Sequence, residues 1–110
     1  MVMTFEQFLK SPQRNAWVDG PKTLKLYVRR TPNNPYWLDH YGEIQLANMN
    51  AGIMGQGALT EFLNKWESKF NIYIENVIND RLLGYFERRG YTQVKSYPEL
   101  PCFLKRKNQI

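Results

Sequence analysis

Three glycines fall between a strand end and a helix start in the segment Asn50-Ala51-Gly52-Ile53-Met54-Gly55-Gln56-Gly57-Ala58-Leu59-Thr60. Such a turn lets backbone N–H groups approach an anion, and the dipole of the following helix favours negative charge there. The dipole supplies only about 0.3–1 kcal/mol per charge, whereas micromolar binding needs roughly 8 kcal/mol. Several N–H donors and further contacts therefore have to share the work. The competing reading is a tight turn with no ligand. No Gly-Lys-Ser/Thr occurs, which excludes a Walker phosphate loop. A dinucleotide fingerprint begins with Gly55-x-Gly57 and finds Glu75 near the end of the next strand, but Thr60 stands where the third glycine belongs. The chain is also short for a sheet that holds a whole dinucleotide.

Other reactive side chains are few. Cys102 is the sole cysteine, so no intrachain disulfide forms, a reducing compartment fits, and an inert, at least half-buried thiol is expected. His40 is the sole histidine, in the loop-like stretch Pro32 to Tyr41. One His and one Cys do not build a four-ligand zinc site, so no metal is expected. Fifteen Lys and Arg against ten Asp and Glu give a net charge of +5. That suits a nucleotide cofactor, nucleic acid or an acidic surface, or serves solubility alone. Tyr27, Tyr36, Trp37, Tyr41 and Tyr73 invite a base-stacking reading. Core and loop packing explains most of them more cheaply, and nucleic acid is not the expected partner.

The elements that position these residues follow from periodicity. Thr4 with Gln7 has capping-box spacing, and Phe5, Phe8 and Leu9 share a helical face that Pro12 closes. Asn15 to Lys22 reads as a loop. Thr23 to Arg30 alternates, with Leu24, Leu26 and Val28 on one side. A second strand runs from about Gly42 to Met49. From Ala58, residues Leu59, Phe62, Leu63, Trp66 and Phe70 form a helical stripe facing a sheet. Asn71 to Val77 alternates again, with Ile72 and Ile74 together. Asn79 caps a helix that carries Leu82, Leu83 and Phe86 and ends at Arg88, Arg89 and Gly90. Strands near Tyr91–Lys95 and Cys102–Lys107 complete the order α-β-β-α-β-α-β-β. The central strand-helix-strand implies a parallel pair with a right-handed crossover, with the outer strands antiparallel. The expected class is α/β, or mixed α+β: a twisted mixed sheet with flanking helices and an abbreviated N-terminal region.

With 110 residues, 43% hydrophobic, 15% aromatic and 23% charged, the chain is expected to form one domain over 1–110. Within it, 1–22 would be a short helix and loop and 23–107 the sheet core. No apolar run reaches the roughly 18–20 residues of a membrane span, and Met1 to Ser11 lacks a signal-peptide pattern. A cytoplasmic location is the expectation.

Two segments carry a resemblance when taken together. One is Glu43-Ile44-Gln45-Leu46-Ala47-Asn48-Met49 followed by Met54-Gly55-Gln56-Gly57-Ala58-Leu59-Thr60-Glu61-Phe62-Leu63. The other is Ile72-Tyr73-Ile74-Glu75-Asn76-Val77-Ile78-Asn79, then Leu82, then Phe86-Glu87-Arg88-Arg89-Gly90-Tyr91. Over about residues 23 to 107 the chain resembles the GNAT acetyltransferase superfamily, especially its small phage-encoded members. The resemblance implies acyl transfer from acetyl-CoA, as co-substrate, to an amine in a ternary complex. Gly55, Gln56, Gly57, Ala58 and Thr60 would cradle the CoA pyrophosphate, and Met49 and Asn50 would pair with the pantetheine arm. Parallel strands would splay there around the thioester, with a backbone N–H polarising its carbonyl. Asn79 would contact the cofactor, cap a helix, or do both.

The chain departs from the family pattern at Met54, in the Arg/Gln position, at Leu59, in place of a small residue, and at Phe86. A tyrosine at the last position would protonate the leaving thiolate. Tyr85 is adjacent but lies about 100° around the helix, so it is not expected to take over without a register shift. Losing an acid costs typically about 10²- to 10⁴-fold, and a thiol pKa near roughly 8.5 favours the low end. A lysine acceptor, with pKa near about 10.4, needs a base more. Glu43 resembles the position of the family's catalytic glutamate, and Glu75 is the other candidate; either alternatively is a solvated strand-end carboxylate. The short N-terminal region leaves the acceptor site to the loop Thr31 to His40 or to a second subunit, pointing to a protein acceptor or a homodimer. The rival readings are a catalytically degenerate module that acts by binding or inhibiting a protein, and a small basic nucleic-acid binder.

Overall fold

The computed structural model describes residues 2–22, 24–51, 57–75, 77, 80–94 and 101–107. In chain order it contains β1 (Met3–Thr4), α1 (Phe5–Lys10), β2 (Asn15–Asp19), β3 (Leu24–Arg30), α2 (Pro35–Tyr41), β4 (Ile44–Ala51), α3 (Ala58–Trp66), β5 (Ile72–Ile74), α4 (Asp80–Arg88), β6 (Thr92–Val94) and β7 (Cys102–Lys105). The seven strands form one mixed sheet ordered β1-β2-β3-β4-β5-β7-β6. β4 and β5 are parallel across the α3 crossover, as the central strand-helix-strand requires. The remaining pairs are antiparallel except β1 with β2, which is parallel where an antiparallel edge was expected. The architecture is mixed α+β, with four helices among the described residues.

Strand alternation divides the sheet into two unlike faces. Val18, Leu24, Leu26, Val28, Ile44, Leu46, Ile72, Ile74 and Phe103 point into the main core. Helices α1, α3 and α4 cover that face through Phe5 and Phe8, through Ala58, Phe62, Leu63 and Trp66, and through Phe86. Phe5 meets Phe62 edge-on at 5.1 Å and Trp66 at 4.9 Å, joining α1 to α3. Among the described residues, the opposite face holds a small cluster, Tyr73, Cys102 and Leu104, with Tyr41 and Val94 packed against it. Cys102 is buried there, as expected for an inert thiol.

Two stretches differ from the pattern-based expectation. Asn15–Asp19, expected as loop, is β2, paired residue for residue with β3 from Asn15↔Arg29 to Asp19↔Lys25. The sheet therefore begins well before residue 23. Pro32–Tyr41, also expected as loop, contains α2, which starts at Asn34, whose side chain accepts from the Tyr36 N–H, with Pro35 in the first turn. It ends at Gly42, whose positive φ of 64° and closeness to the Asn71 backbone leave no room for a Cβ. α3 stops at Trp66, so Phe70 lies just beyond the helix, still packed on the core. Among the described residues, no helix is long and apolar enough to cross a membrane.

Candidate functional site

The two parallel strands part company halfway along β4. Their register runs Ile44↔Ile72, Gln45↔Tyr73 and Leu46↔Ile74, and one further bond joins the Glu75 N–H to the Leu46 carbonyl at 3.0 Å. Beyond that point β4 stays with β3, through Met49↔Leu26, Asn50↔Lys25 and Ala51↔Leu24. The chain after β5 turns the other way, where the Val77 N–H donates to the Pro101 carbonyl at 2.7 Å. A bulge sits at the fork: Val28 pairs with Leu46 and Tyr27 with Asn48, leaving Ala47 as an extra residue in β4. An inserted residue bends and twists its strand, which drives the divergence. Among the described residues, pairing between the two strands ends there, leaving an unpaired gap between Ala47 to Met49 on one side and Glu75 and Val77 on the other.

The helix that follows β4 begins at this end. Gly57 takes the N-cap of α3 with φ 71°, in the left-handed region, is exposed, and has no side chain to bond the first-turn amides. A Cβ at Gly57 would meet nothing within 4 Å, so the glycine answers to backbone conformation and not to crowding. The amides at the head of α3 thus lack a side-chain cap, which suits an anionic ligand group. Ala58 is buried and Thr60 half-buried. The Thr60 hydroxyl lies 2.6 Å from the Tyr85 hydroxyl of α4, a bond in which either can donate.

That contact corrects the expectation for α4. Phe86 is fully buried, with its ring against Tyr85, Tyr91 and Phe103 at 5.2–5.6 Å between centroids. It is a core residue. Tyr85, expected to point elsewhere, reaches the head of α3 without any register shift. α4 is rolled so that position 86 faces the sheet and position 85 faces α3. Four hydrogen bonds fix that roll at the far end of the two helices. Glu67, capping α3, accepts from Arg89 Nε at 3.0 Å and Nη2 at 2.9 Å, and from the Tyr91 hydroxyl at 3.1 Å. Lys105 Nζ of β7 donates to the Arg89 carbonyl at 2.9 Å. Burial opposes the Arg89 charge, but its hydrogen bond to Glu67 and the Glu67 charge outweigh that and raise its pKa. Burial, then the charge and hydrogen bond of Glu67, push the Tyr91 phenol well above its usual range.

The two carboxylates proposed from sequence are not neighbours. Glu75 follows the last paired residue of β5, at the gap, and on the face away from α3. Its Oε2 accepts from Arg29 Nη1 at 2.9 Å, across β4. Glu43 precedes β4 at its opposite end. Six residues at about 3.3 Å separate it from Met49 by about 20 Å along the strand. There its Oε1 accepts from the Asn71 N–H at 3.1 Å and lies 3.7 Å from Lys107 Nζ. Those contacts tie the start of β4 to the segment before β5. Glu43 is therefore a joint of the fold here, not a neighbour of the gap.

Of the remaining candidates, Met49 is half-buried against the main core and next to the gap. Asn50 contributes its described backbone, paired with Lys25. Gly55, Gln56 and Asn79, and with them Met54, lie outside the described residues. The sequence reading set Tyr85 aside; the signal available was its place in a helix that must pack beside α3. No protein-family model, curated protein or solved structure matches the chain.

Proposed function

We propose that the protein is an acyl-CoA-dependent N-acyltransferase, moving an acetyl group from acetyl-CoA directly to an amine. The observation that carries the proposal is the fork between β4 and β5 at the Ala47 bulge, with the uncapped head of α3 at the same end of β4. An opened parallel pair exposes strand backbone to a ligand that lies between the strands, and a helix N-terminus receives its phosphates. The GNAT-like segments of the sequence fall on these two features. Gly57 and Ala58 would hold the pyrophosphate, together with Gly55 and Gln56, which leaves the Thr60 hydroxyl to Tyr85. Met49 and Asn50 would align the pantetheine arm.

The gap has different chemistry on its two sides. Glu75 stands on the open side, in reach of an incoming ammonium, and would take its proton. The Thr60–Tyr85 hydroxyl pair stands on the helix side, where Tyr85 would donate to the departing thiolate sulfur. The amine nitrogen forms the new bond to the carbonyl carbon, the C–S bond breaks, and one proton passes to each side. Arg29 holds the Glu75 carboxylate in place.

Release of free thiol from acetyl-CoA in the presence of an amine panel tests the reading. Glu75→Gln is expected to lower the rate by about 10²- to 10⁴-fold and Tyr85→Phe by about 10²-fold, the low end for an acid acting on a good leaving group. Glu43→Gln is expected to leave the rate near that of the parent. Equal loss in Glu43→Gln and Glu75→Gln would overturn the assignment.

A further inference from the structure

Thr60 lies in the first turn of α3, and its hydroxyl is directed at α4. Its oxygen is 2.6 Å from Tyr85 Oη, and both side chains are half-buried. Further contacts show that this is the face α3 turns to α4. Asn64 and Glu67, one and two turns on, both bond to Arg89, one turn beyond Tyr85. The two helices therefore run side by side in the same direction, and the hydroxyl pair is the rung of that contact nearest the head of α3. Among the described residues each of these hydroxyls bonds only the other.

Proton counting decides between two roles for Thr60. Each hydroxyl brings a single proton, and one of the two is used between the oxygens, so the pair keeps a single proton for a third group. If Thr60 donated to a pyrophosphate oxygen, Tyr85 would have to donate to Thr60 and would keep no proton for sulfur. If Thr60 donates to Tyr85, the phenol proton is free to leave. The second arrangement also gains during reaction. As the Tyr85 O–H bond breaks and the S–H bond forms, negative charge gathers on the phenol oxygen. The bond from Thr60 then becomes charge-assisted, roughly twice as strong as a neutral one. An interaction that strengthens towards the transition state raises the rate, whereas one of constant strength changes only binding. Thr60 keeps its own proton throughout.

We infer that Thr60 is a positioning residue for Tyr85 and not a ligand of the CoA phosphates. Its hydroxyl orients the phenol towards the departing sulfur and stabilises the phenolate that forms. This rests on the acyltransfer reading, in which Tyr85 is the acid.

Thiol release from acetyl-CoA with an amine the parent accepts, beside calorimetric titration with acetyl-CoA, tests the role. The proteins are Thr60→Val, Thr60→Ser, Tyr85→Phe and the double variant of Thr60→Val with Tyr85→Phe. Valine keeps the shape of threonine and removes the proton. Thr60→Val should slow turnover about tenfold, as loss of a bond to a charged group does, while binding acetyl-CoA as the parent does. Thr60→Ser should recover most of the rate. The double variant should be no slower than Tyr85→Phe alone, because Thr60 has nothing to position once the acid is gone. A Thr60→Val protein that loses acetyl-CoA affinity and keeps its turnover would overturn the inference in favour of phosphate binding. So would losses that multiply in the double variant, a rate indifferent to Thr60→Val, or a serine variant as slow as the valine one. Each of these leaves the acyltransfer reading standing. A parent that releases no thiol with any amine overturns that reading, and this role with it.

Discussion

Phe86→Tyr separates what the family pattern implies from what the packing permits. By pattern, a tyrosine at 86 would restore the missing acid and raise the rate. By packing it would not. Position 86 has no solvent exposure, and three aromatic rings and the sheet surround it. The added hydroxyl enters a packed aromatic core, and burying it without a partner costs about 1–3 kcal/mol. Fitting the oxygen into a close-packed site adds to this. At about 4 °C per kcal/mol for a domain of this size, the melting temperature should fall by roughly 4–12 °C. The assay is thermal and urea unfolding of the variant beside Tyr85→Phe, with the thiol-release rate of each. Tyr85 is half-buried and loses one hydroxyl bond, so its variant should lose about 1 kcal/mol or less of stability but most of the rate. A Phe86→Tyr protein as stable as the parent, and faster, would refute the placement of both residues.

Two further perturbations address the scaffold. Glu67→Ala removes the carboxylate shared by Arg89, Tyr91 and Lys105. Because these side chains are mostly buried, the loss should be about 2–3 kcal/mol in urea unfolding, with Glu67→Gln intermediate. Stability should also fall above about pH 10, where exposed phenols ionise. Burial, with a hydrogen bond to Cys102, lifts the Tyr73 phenol above its ordinary range, and burial with Glu67 does so for Tyr91. The unfolded chain then binds fewer protons than the folded one, so stability present below pH 10 is lost as pH rises, by about 1.4 kcal/mol per unit for each group. Thermal melts across that range, with Tyr73→Phe and Tyr91→Phe as references, read the slope.

How much of this was legible in the sequence depends on what determines each element. β3, α3, β5 and the end of α4 announce themselves because each buries one face, and alternation or a helical stripe records that burial. The capping box at Thr4 and Gln7 forms as its spacing implies, with bonds of 3.1 and 2.8 Å. β2 leaves a weaker trace: only Val18 is buried, and its strand state comes from pairing with β3. α2 has its caps in the sequence at Asn34, Pro35 and Gly42 but no apolar stripe, since it buries nothing. The site divides the same way. Glu75 and the Gly57-to-Thr60 helix start were readable because strand-helix-strand order places them at one end. Tyr85 was not, because the roll of α4 is set by distant contacts of Glu67, Arg89 and Phe86, and angle around a helix does not reveal which angle faces the neighbour. The bulge at Ala47 is likewise a matter of register between two strands, which neither strand encodes alone.

The central claim is that an acyl-CoA occupies the gap with its phosphates at the head of α3, and calorimetric titration with acetyl-CoA addresses it most directly. Two substitutions at Gly57 keep strain and charge apart. Asparagine tolerates the left-handed conformation that the φ of 71° requires, whereas glutamate adds strain and a negative charge in the proposed cradle. Binding at micromolar concentration, retained within severalfold by Gly57→Asn and abolished by Gly57→Glu in protein that remains folded, is the expected result. No heat of binding at millimolar acetyl-CoA, or equal binding by the glutamate variant, would contradict it.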